Sequence, residues 1–490
     1  MRDFTGNTPR SGLPLAVTCV AQFVVVLDAT IVITALPVVR SSLGSPVESL
    51  QWVITAYTLA FGGLLITGGR LADLIGPRRA FLLGLVVFTS ASLACALAWC
   101  PAALIGARAI QGLGSALLSP AALALLSVIT LPGDARRRAV GWWTAAAATG
   151  GASGWLLGGV LTEYLSWRAV FWVNLPIGIA TSLIALRVLP VGGIRVSGRR
   201  LDLLGSIAVT TAFALLVYGL TRLTSSSVSS PASWASILLA VVGLGLVVIH
   251  ERTITDPLVP PRLLRSRPMA GANLSALLIT ATTTPAMYLA TLYVQQKLHL
   301  GPARASLLFP VFNIAVIGGS TLGPYALKRL DARLTLGSGF TGIATGAILL
   351  TTLRGADAAT ATLLAAFAFM GLGLGMASVA STHTGTEAVG QVDRGVAAGM
   401  LTAAAQMGTA IGLAAITPLA ITGTTANGYR VGFAGVVVLA AGGVLLSLLV
   451  PRRAISAQRK APHAATAEDQ AVERGQRPRV VRSASNNRAS

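Results

Sequence analysis

Two ionisable side chains stand inside long apolar stretches of this sequence: Asp28, within LDATIVITALP, and Arg108, within ARAIQGLGSALLSP. A charge at the middle of a lipid-spanning helix costs about 2.5–3.5 kcal/mol on insertion scales, so such groups mark relays, pathways or counter-ion pairs. Burial favours the neutral form of a carboxyl group, and a nearby cation favours the ionised form. A carboxylate facing a crevice of alternating exposure can therefore collect a proton on one side and release it on the other. Asp28 has the chemistry for that coupling, and Arg108, always protonated, can bias its neighbour. The other role open to the pair is a permanent clamp between helices. Glu163, at the end of the fifth apolar block, is the next acidic candidate; the remaining acids fall in loops, at block ends or in the tails.

The elements that must hold these groups are membrane helices. Of the 490 residues 54% are hydrophobic and 11% charged, with a mean hydropathy of +0.74, against roughly a quarter charged in soluble domains. The apolar residues come in blocks of about 20, the length needed to cross hydrocarbon about 30 Å thick. These blocks are continuous, not alternating, which excludes a lipid-facing β-barrel. Fourteen are expected, near 14–37, 50–69, 79–99, 102–125, 139–162, 168–188, 203–221, 233–250, 270–294, 304–326, 335–353, 358–381, 396–418 and 431–450. The N-terminus lacks a cleavage pattern, so the first block is expected to remain as a helix.

Charge fixes the expected topology. With an even number of spans, 29 basic residues fall on the side of the termini and 7 on the other, Arg108 lying within the membrane. The positive-inside rule then makes both termini cytoplasmic in a multi-pass inner (cytoplasmic) membrane protein. The net charge of +21 is accounted for by that asymmetry and needs no nucleic-acid partner. Cys19, Cys95 and Cys100 suit neither a disulfide framework nor a metal site. The four histidines are scattered, and no nucleophile–base pair, metal-ligand spacing or G-x-x-x-x-G-K-[ST] sequence is present. An enzyme, a resident metal, a cofactor and a self-contained ATP-driven pump are thus not expected.

Two further segments carry pattern. In GGRLADLIGPRRAF, Gly69 and Gly76 permit close backbone approach while Asp73, Arg78 and Arg79 offer opposite charges, a latch for one conformation. Gly150, Gly154, Gly158 and Gly159 recur at about four-residue spacing and form a groove for a neighbouring helix.

These segments resemble the major facilitator superfamily, and within it the fourteen-helix drug:proton antiporters. Asp28, Ala35, Leu36 and Pro37 resemble that family's first-helix motif. Gly69, Leu71, Ala72, Asp73, Gly76, Arg78 and Arg79 are similar to its cytoplasmic loop motif. Arg108, Gln111, Gly112 and Gly114 are similar to the fourth-helix motif, whose arginine is associated with proton coupling, and the four glycines to the antiporter motif of the fifth helix. SWRAVFWVNLPIG, residues 166–178, resembles the opening of the sixth helix. Trp155 departs from the proline of the antiporter motif, and Leu327 stands near the acid expected in the second-half loop.

The resemblance implies an all-α major facilitator fold: two six-helix bundles plus two extra transmembrane helices. The expected organisation is a cytoplasmic N-terminus (1–13), an N-terminal bundle (14–188), extra helices with linkers (189–269), a C-terminal bundle (270–450) and a disordered basic tail (451–490). It also implies a monomer that exchanges protons for a small amphipathic substrate. Candidate cavity residues are Gln22, Thr30, Tyr57, Gln111, Tyr288, Tyr293, Gln295, Asn313 and Gln406, in addition to Asp28. Proton-linked uptake and a non-transporting sensor remain the alternatives to efflux.

Overall fold

The computed structural model describes residues 12–44, 47–131, 133–190, 202–225, 231–254, 261–264, 266–353, 359–389, 394–421 and 426–449. All regular structure among the described residues is helical. The first bundle comprises α1 (Gly12–Leu43), α2 (Val47–Ile75), α3 (Pro77–Ala96), α4 (Pro101–Ile129), α5 (Asp134–Tyr164) and the broken pair α6 (Ala169–Trp172) and α7 (Asn174–Val188). The extra pair is α8 (Leu203–Ser225) and α9 (Pro231–Thr253), followed by the short α10 (Pro261–Leu264). The second bundle comprises α11 (Arg267–Gln296), α12 (Pro302–Ser306), α13 (Phe309–Arg329), α14 (Ala332–Thr351), α15 (Ala359–Glu387), α16 (Arg394–Ile421) and α17 (Ala426–Leu449). Most of residues 1–13 and the whole of 451–490 lie outside the described residues.

All fourteen expected blocks are helical, and most helices run several residues past the apolar run into polar sequence. With α6–α7 and α12–α13 each taken as one, thirteen helices among the described residues are long and apolar enough to cross a membrane. The fourteenth, α5, has the length but not the apolarity. Three of its glycines, Gly150, Gly154 and Gly158, instead admit α1 closely, and Gly159 packs against α12. Proline starts several helices where the missing N–H costs nothing: Pro77 in α3, Pro101 in α4 and Pro302 in α12. Gly76, at φ 92°, turns the chain from α2 into α3, a conformation that only glycine adopts cheaply. The corresponding turn of the second bundle uses Asp331 at φ 83°, whose carboxylate accepts the Leu334 N–H at 2.9 Å.

The two bundles repeat one packing scheme. In the first, α1 lies on α5, α4 on both α2 and α3, and α7 on α1 and α3. In the second, α11 lies on α16, α15 on both α13 and α14, and α17 on α11 and α14. The bundles meet along two main seams, α2 with α16 and α5 with α12 and α13, with smaller contacts of α1 on α11 and α12; α8 packs on both α2 and α16 at the first seam. Two bundles that meet mainly along two seams form a layout in which one half can rock on the other.

Candidate functional site

The centre of the first bundle is polar. Asp28, midway along α1, is wholly buried, as are Arg108 and Gln111 on the facing side of α4 and Asn174 at the start of α7. Arg108 Nη1 donates to Asp28 Oδ2 at 2.5 Å, while Gln111 Nε2 and Asn174 Nδ2 donate to Asp28 Oδ1 at 2.9 and 2.8 Å. One carboxylate therefore takes three donors from two other helices. A buried ion pair is tolerable only when its remaining donors and acceptors are also satisfied. Arg108 meets that demand: Nε donates to the Val53 carbonyl at 3.0 Å, Nη1 also to Gln111 Oε1 at 2.8 Å, and its guanidinium lies 4.2 Å from the centre of the Tyr57 ring.

The shell around the pair fixes its geometry. The Tyr57 hydroxyl bonds the Val25 carbonyl at 3.1 Å and Ser115 Oγ at 2.9 Å, pinning α2 to α1 and α4. Asn174 Nδ2 also donates to Ser92 Oγ at 3.1 Å, and Ser92 donates to the Phe171 carbonyl at 3.0 Å. The α6–α7 break at Val173 therefore has a use: it turns Asn174 towards Asp28 and gives Ser92 a backbone acceptor. The Cys95 thiol lies 3.6 Å from Gln111 Oε1. Asn174, Ser92, Cys95 and Ser115 were not among the residues expected from sequence; the signal was there only as the NLPIG that closes the sixth-helix segment.

Beside this network runs the glycine seam. A Cβ on Gly150, Gly154 or Gly158 would strike the α1 backbone, at Phe23, Leu27 and Ile31 respectively. Gly159 points elsewhere, at Pro302 and Ser306 of α12, so three of the four glycines admit α1 and the fourth admits the other bundle. Trp155, from the same helix, is buried and stacks on Phe309 of α13 with ring centres 4.2 Å apart and planes within 13°; Phe309 in turn stacks on Phe367 of α15 at 5.2 Å. Nearby, Glu163 accepts the Ala303 N–H at 2.7 Å and Gln295 Nε2 donates to the Thr34 carbonyl at 3.0 Å. The bundles are thus joined at the end of the molecule remote from the α1 N-terminus.

Residues 18–200 and 269–487 match the sequence profile of the Major Facilitator Superfamily, with the gap falling on the extra pair. The chain belongs to the Major Facilitator Superfamily. It is 38% identical over 465 residues to the cephamycin export protein CmcT of Amycolatopsis lactamdurans, covering 92% of this chain and 95% of that protein. The puromycin resistance protein pur8 of Streptomyces alboniger is 36% identical over 427 residues, 86% of this chain and 84% of that one. Among solved structures, the peptide transporter POT in complex with sulfate superposes with a TM-score of 0.66 at 17% identity, covering 92% of this chain and 95% of that chain. The nucleoside transporter NupG superposes with a TM-score of 0.65 at 11% identity, covering 90% and 100%. These structures share the fold, and the chain is accordingly a multi-pass membrane protein of the facilitator type.

The other expected site residues of this superfamily member are dispersed. Gln22 accepts from Ser119 Oγ at 3.0 Å between α1 and α4, and Thr30 Oγ1 bonds the Gly151 carbonyl at 3.3 Å in the α1–α5 seam. Tyr57 and Gln111 belong to the Asp28 network. In the second bundle the Tyr288 hydroxyl is buried without a hydrogen-bond partner among the described residues, Tyr293 meets Tyr429 edge-on at 5.5 Å, and Asn313 bonds its own helix at Phe309 O. Gln406 abuts Gly62 in the α2–α16 seam, and Gln295 lines a groove at the joined end together with Arg40. In the loop motif, Arg78 Nη2 donates to the Leu186 carbonyl at 2.5 Å, tying α3 to α7; Gly69 faces Pro120, Asp73 is half-buried and Arg79 is exposed.

Proposed function

We propose that this chain exports small amphipathic molecules, antibiotics and related drugs among them, across the cytoplasmic membrane in exchange for inward-moving protons. The observation that carries the reading is the Asp28 carboxylate, wholly buried and matched by Arg108, Gln111 and Asn174. A proton on that carboxylate would cancel the only negative partner, among the described residues, at hydrogen-bond distance from the Arg108 guanidinium. An uncompensated buried cation costs several kcal/mol in a fixed structure. Proton uptake is therefore linked to a rearrangement of α1 against α4, and a linked pair of equilibria of this kind is what antiport requires. The export protein and the resistance protein to which the chain is similar support the direction and the drug-like substrate class. One net inward charge is worth about 2.3 kcal/mol per 100 mV, enough for a substrate gradient of roughly fifty-fold.

In this reading both termini are cytoplasmic, in keeping with the basic residues on that side. The joined end then faces outward, Gly69, Asp73, Gly76, Arg78 and Arg79 act as the inner latch, and the unit of transport is one chain. The two bundles at 14–188 and 270–450 are the moving halves, and 189–269 carries the extra pair. The decisive measurement is drug accumulation in everted vesicles with an imposed pH gradient, after a susceptibility panel in an efflux-deficient host has chosen the drug. Accumulation that collapses with a protonophore is expected. Accumulation indifferent to the protonophore would remove proton exchange, and no protection against any drug would remove export.

A further inference from the structure

We propose that the α2–α16 seam is built to part at the joined end, because its half on that side buries three oxygens that find partners only when the seam opens to water. Gln51 Oε1 and Thr55 Oγ1 on α2, and Thr417 Oγ1 on α16, are buried and have no hydrogen-bond partner among the described residues. No other buried side-chain nitrogen or oxygen described on these two helices lacks one. Buried polar groups are rarely left in that state, and each instance calls for a cause.

The three oxygens share one contact face. A Cβ on Gly62 would come 2.7 Å from the Gln406 Cβ, and that approach sets the antiparallel register of α2 on α16. Gln51 lies eleven residues before Gly62 and Thr417 eleven after Gln406, both towards the joined end. Eleven residues rise about 16–17 Å and turn about 20° past three full turns, so by register the two side chains stand at one height on facing sides. Thr55, seven residues from Gly62, lies about 10 Å up and within about 20° of the same line. The faces stay packed over this stretch: Leu59 clusters with Ala410 and Ala414, and Trp52 lies against that cluster. Gln51 Nε2 donates to Thr221 Oγ1 of α8 at 3.0 Å, and Thr221 donates in turn to the Val217 carbonyl at 2.8 Å. The extra pair thus holds the amide by its nitrogen and leaves the carbonyl oxygen unmatched.

On the other side of Gly62 the contact is apolar, Ile66 lying against the cluster of Met269, Ala397 and Met400. The seam therefore carries its penalty at one end only. When the halves rock about the close Gly62–Gln406 approach, parting at the joined end lets water reach all three oxygens, and closing strips it away. Each oxygen then favours the parted seam by about five- to 150-fold, roughly 1–3 kcal/mol at 1.36 kcal/mol per tenfold. The opposing weight lies in the other seam, where Trp155 stacks on Phe309. One seam pressing open and one holding shut keep the joined end closed yet ready to part. The inference rests on the rocking of the halves, not on the driving ion or the cargo.

The test places a reporter, Ala414→Cys, at a buried seam position of a chain whose Cys19, Cys95 and Cys100 are replaced by alanine. In lipid nanodiscs the charged thiol reagent MTSET reaches that cysteine only while the seam is parted, so the modification rate follows the open fraction. Thr55→Val and Thr417→Val keep the side-chain shape and delete the unmatched hydroxyl. Each should slow modification at least fivefold and raise Tm, whereas deleting a hydroxyl that held the seam together would lower Tm. Thr291→Val on α11, whose buried hydroxyl donates to the Met287 carbonyl at 2.9 Å, should leave the rate within twofold and not raise Tm. A lowered Tm in either seam variant would mean that its hydroxyl is satisfied in the closed seam by an enclosed water, and overturns the proposal. An unchanged rate, equal slowing in Thr291→Val, or a reporter that never reacts overturns it too. Neither drug nor pH gradient enters, so slowed modification with failed vesicle transport sinks only the export reading, while intact transport with an unchanged rate sinks only this one.

Discussion

Replacing Asp28 by Asn keeps the side-chain volume and removes one negative charge. Arg108 then retains the Val53 carbonyl at 3.0 Å, Gln111 Oε1 at 2.8 Å and the Tyr57 ring face, but no anion. Removing one partner of a buried pair costs about 3–5 kcal/mol. Against a total stability of about 5–15 kcal/mol for a typical domain, that should leave a folded protein with a visibly lowered Tm. Drug protection should vanish at the same time. These two losses alone do not separate a proton carrier from a clamp, but the double variant Asp28→Asn with Arg108→Met does. Removing both charges together is neutral, or stabilising by about 1–4 kcal/mol, when the replacement packs well. The double variant should therefore recover its Tm and stay inactive, since nothing remains at the site to carry a proton. Differential scanning fluorimetry and a susceptibility assay on the same preparations read both quantities. A double variant that regains both Tm and pH-gradient-driven export would refute the coupling role and leave the pair as a clamp.

Other outcomes follow from single contacts. Asn174→Ala removes one donor from Asp28 and the bond to Ser92 and should cost about 1–3 kcal/mol, read as a lower Tm, with export reduced but present. Gly154→Val would set a branched Cβ 2.8 Å from the Leu27 carbonyl and against Thr30, so α1 and α5 must part; poor expression and loss of export are expected, with Gly106→Ala, where nothing lies within 4 Å, as the tolerated control. Arg78→Gln shortens the tie to Leu186 and should slow turnover in vesicles more than it weakens drug binding, since the contact joins α3 to α7 far from Asp28.

The helices were legible because a bilayer requires about 20 apolar residues per crossing, and that demand is written as block length. Even α5 could be placed, although its polar and small residues fall short of the apolarity of the others. Asp28 and Arg108 stood out for the same reason, as charges in oil. What could not be read was the company they keep. Asn174 is an ordinary amide in the sequence, and only the break at Val173 delivers it to Asp28. The cavity residues were less legible still. A polar residue in an apolar span can face a cavity, a neighbouring helix or its own backbone. Thr30 and Asn313 took backbone partners, Gln22 a serine, and Tyr57 a place beneath the guanidinium. Hydropathy carries no azimuth, so nothing in the pattern distinguished these fates.

Trp155 unites the remaining pieces. Among the described residues the buried charges are Asp28, Arg108 and Glu251, none of them in the second bundle. Any proton chemistry at Asp28 must then reach that bundle mechanically. One route is through α1, across the glycine seam into α5, and from Trp155 onto Phe309; α1 also reaches that bundle directly, through the Thr34 carbonyl and Gln295. Where the related antiporter motif bends its helix with proline, this chain keeps α5 free of proline and uses an aromatic face against the opposite half. Trp155→Ala should accordingly leave the Asp28 network intact, since its described contacts lie on the other side of α5, while loosening the joined end. The expected result in vesicles is a proton leak in the absence of drug and a smaller drug gradient, with Trp155→Phe restoring most of the tightness through stacking on Phe309. Should Trp155→Ala hold as large a gradient as wild type with no added leak, the aromatic stack would not be what seals the halves, and the Gln295–Thr34 and Glu163–Ala303 contacts would have to suffice.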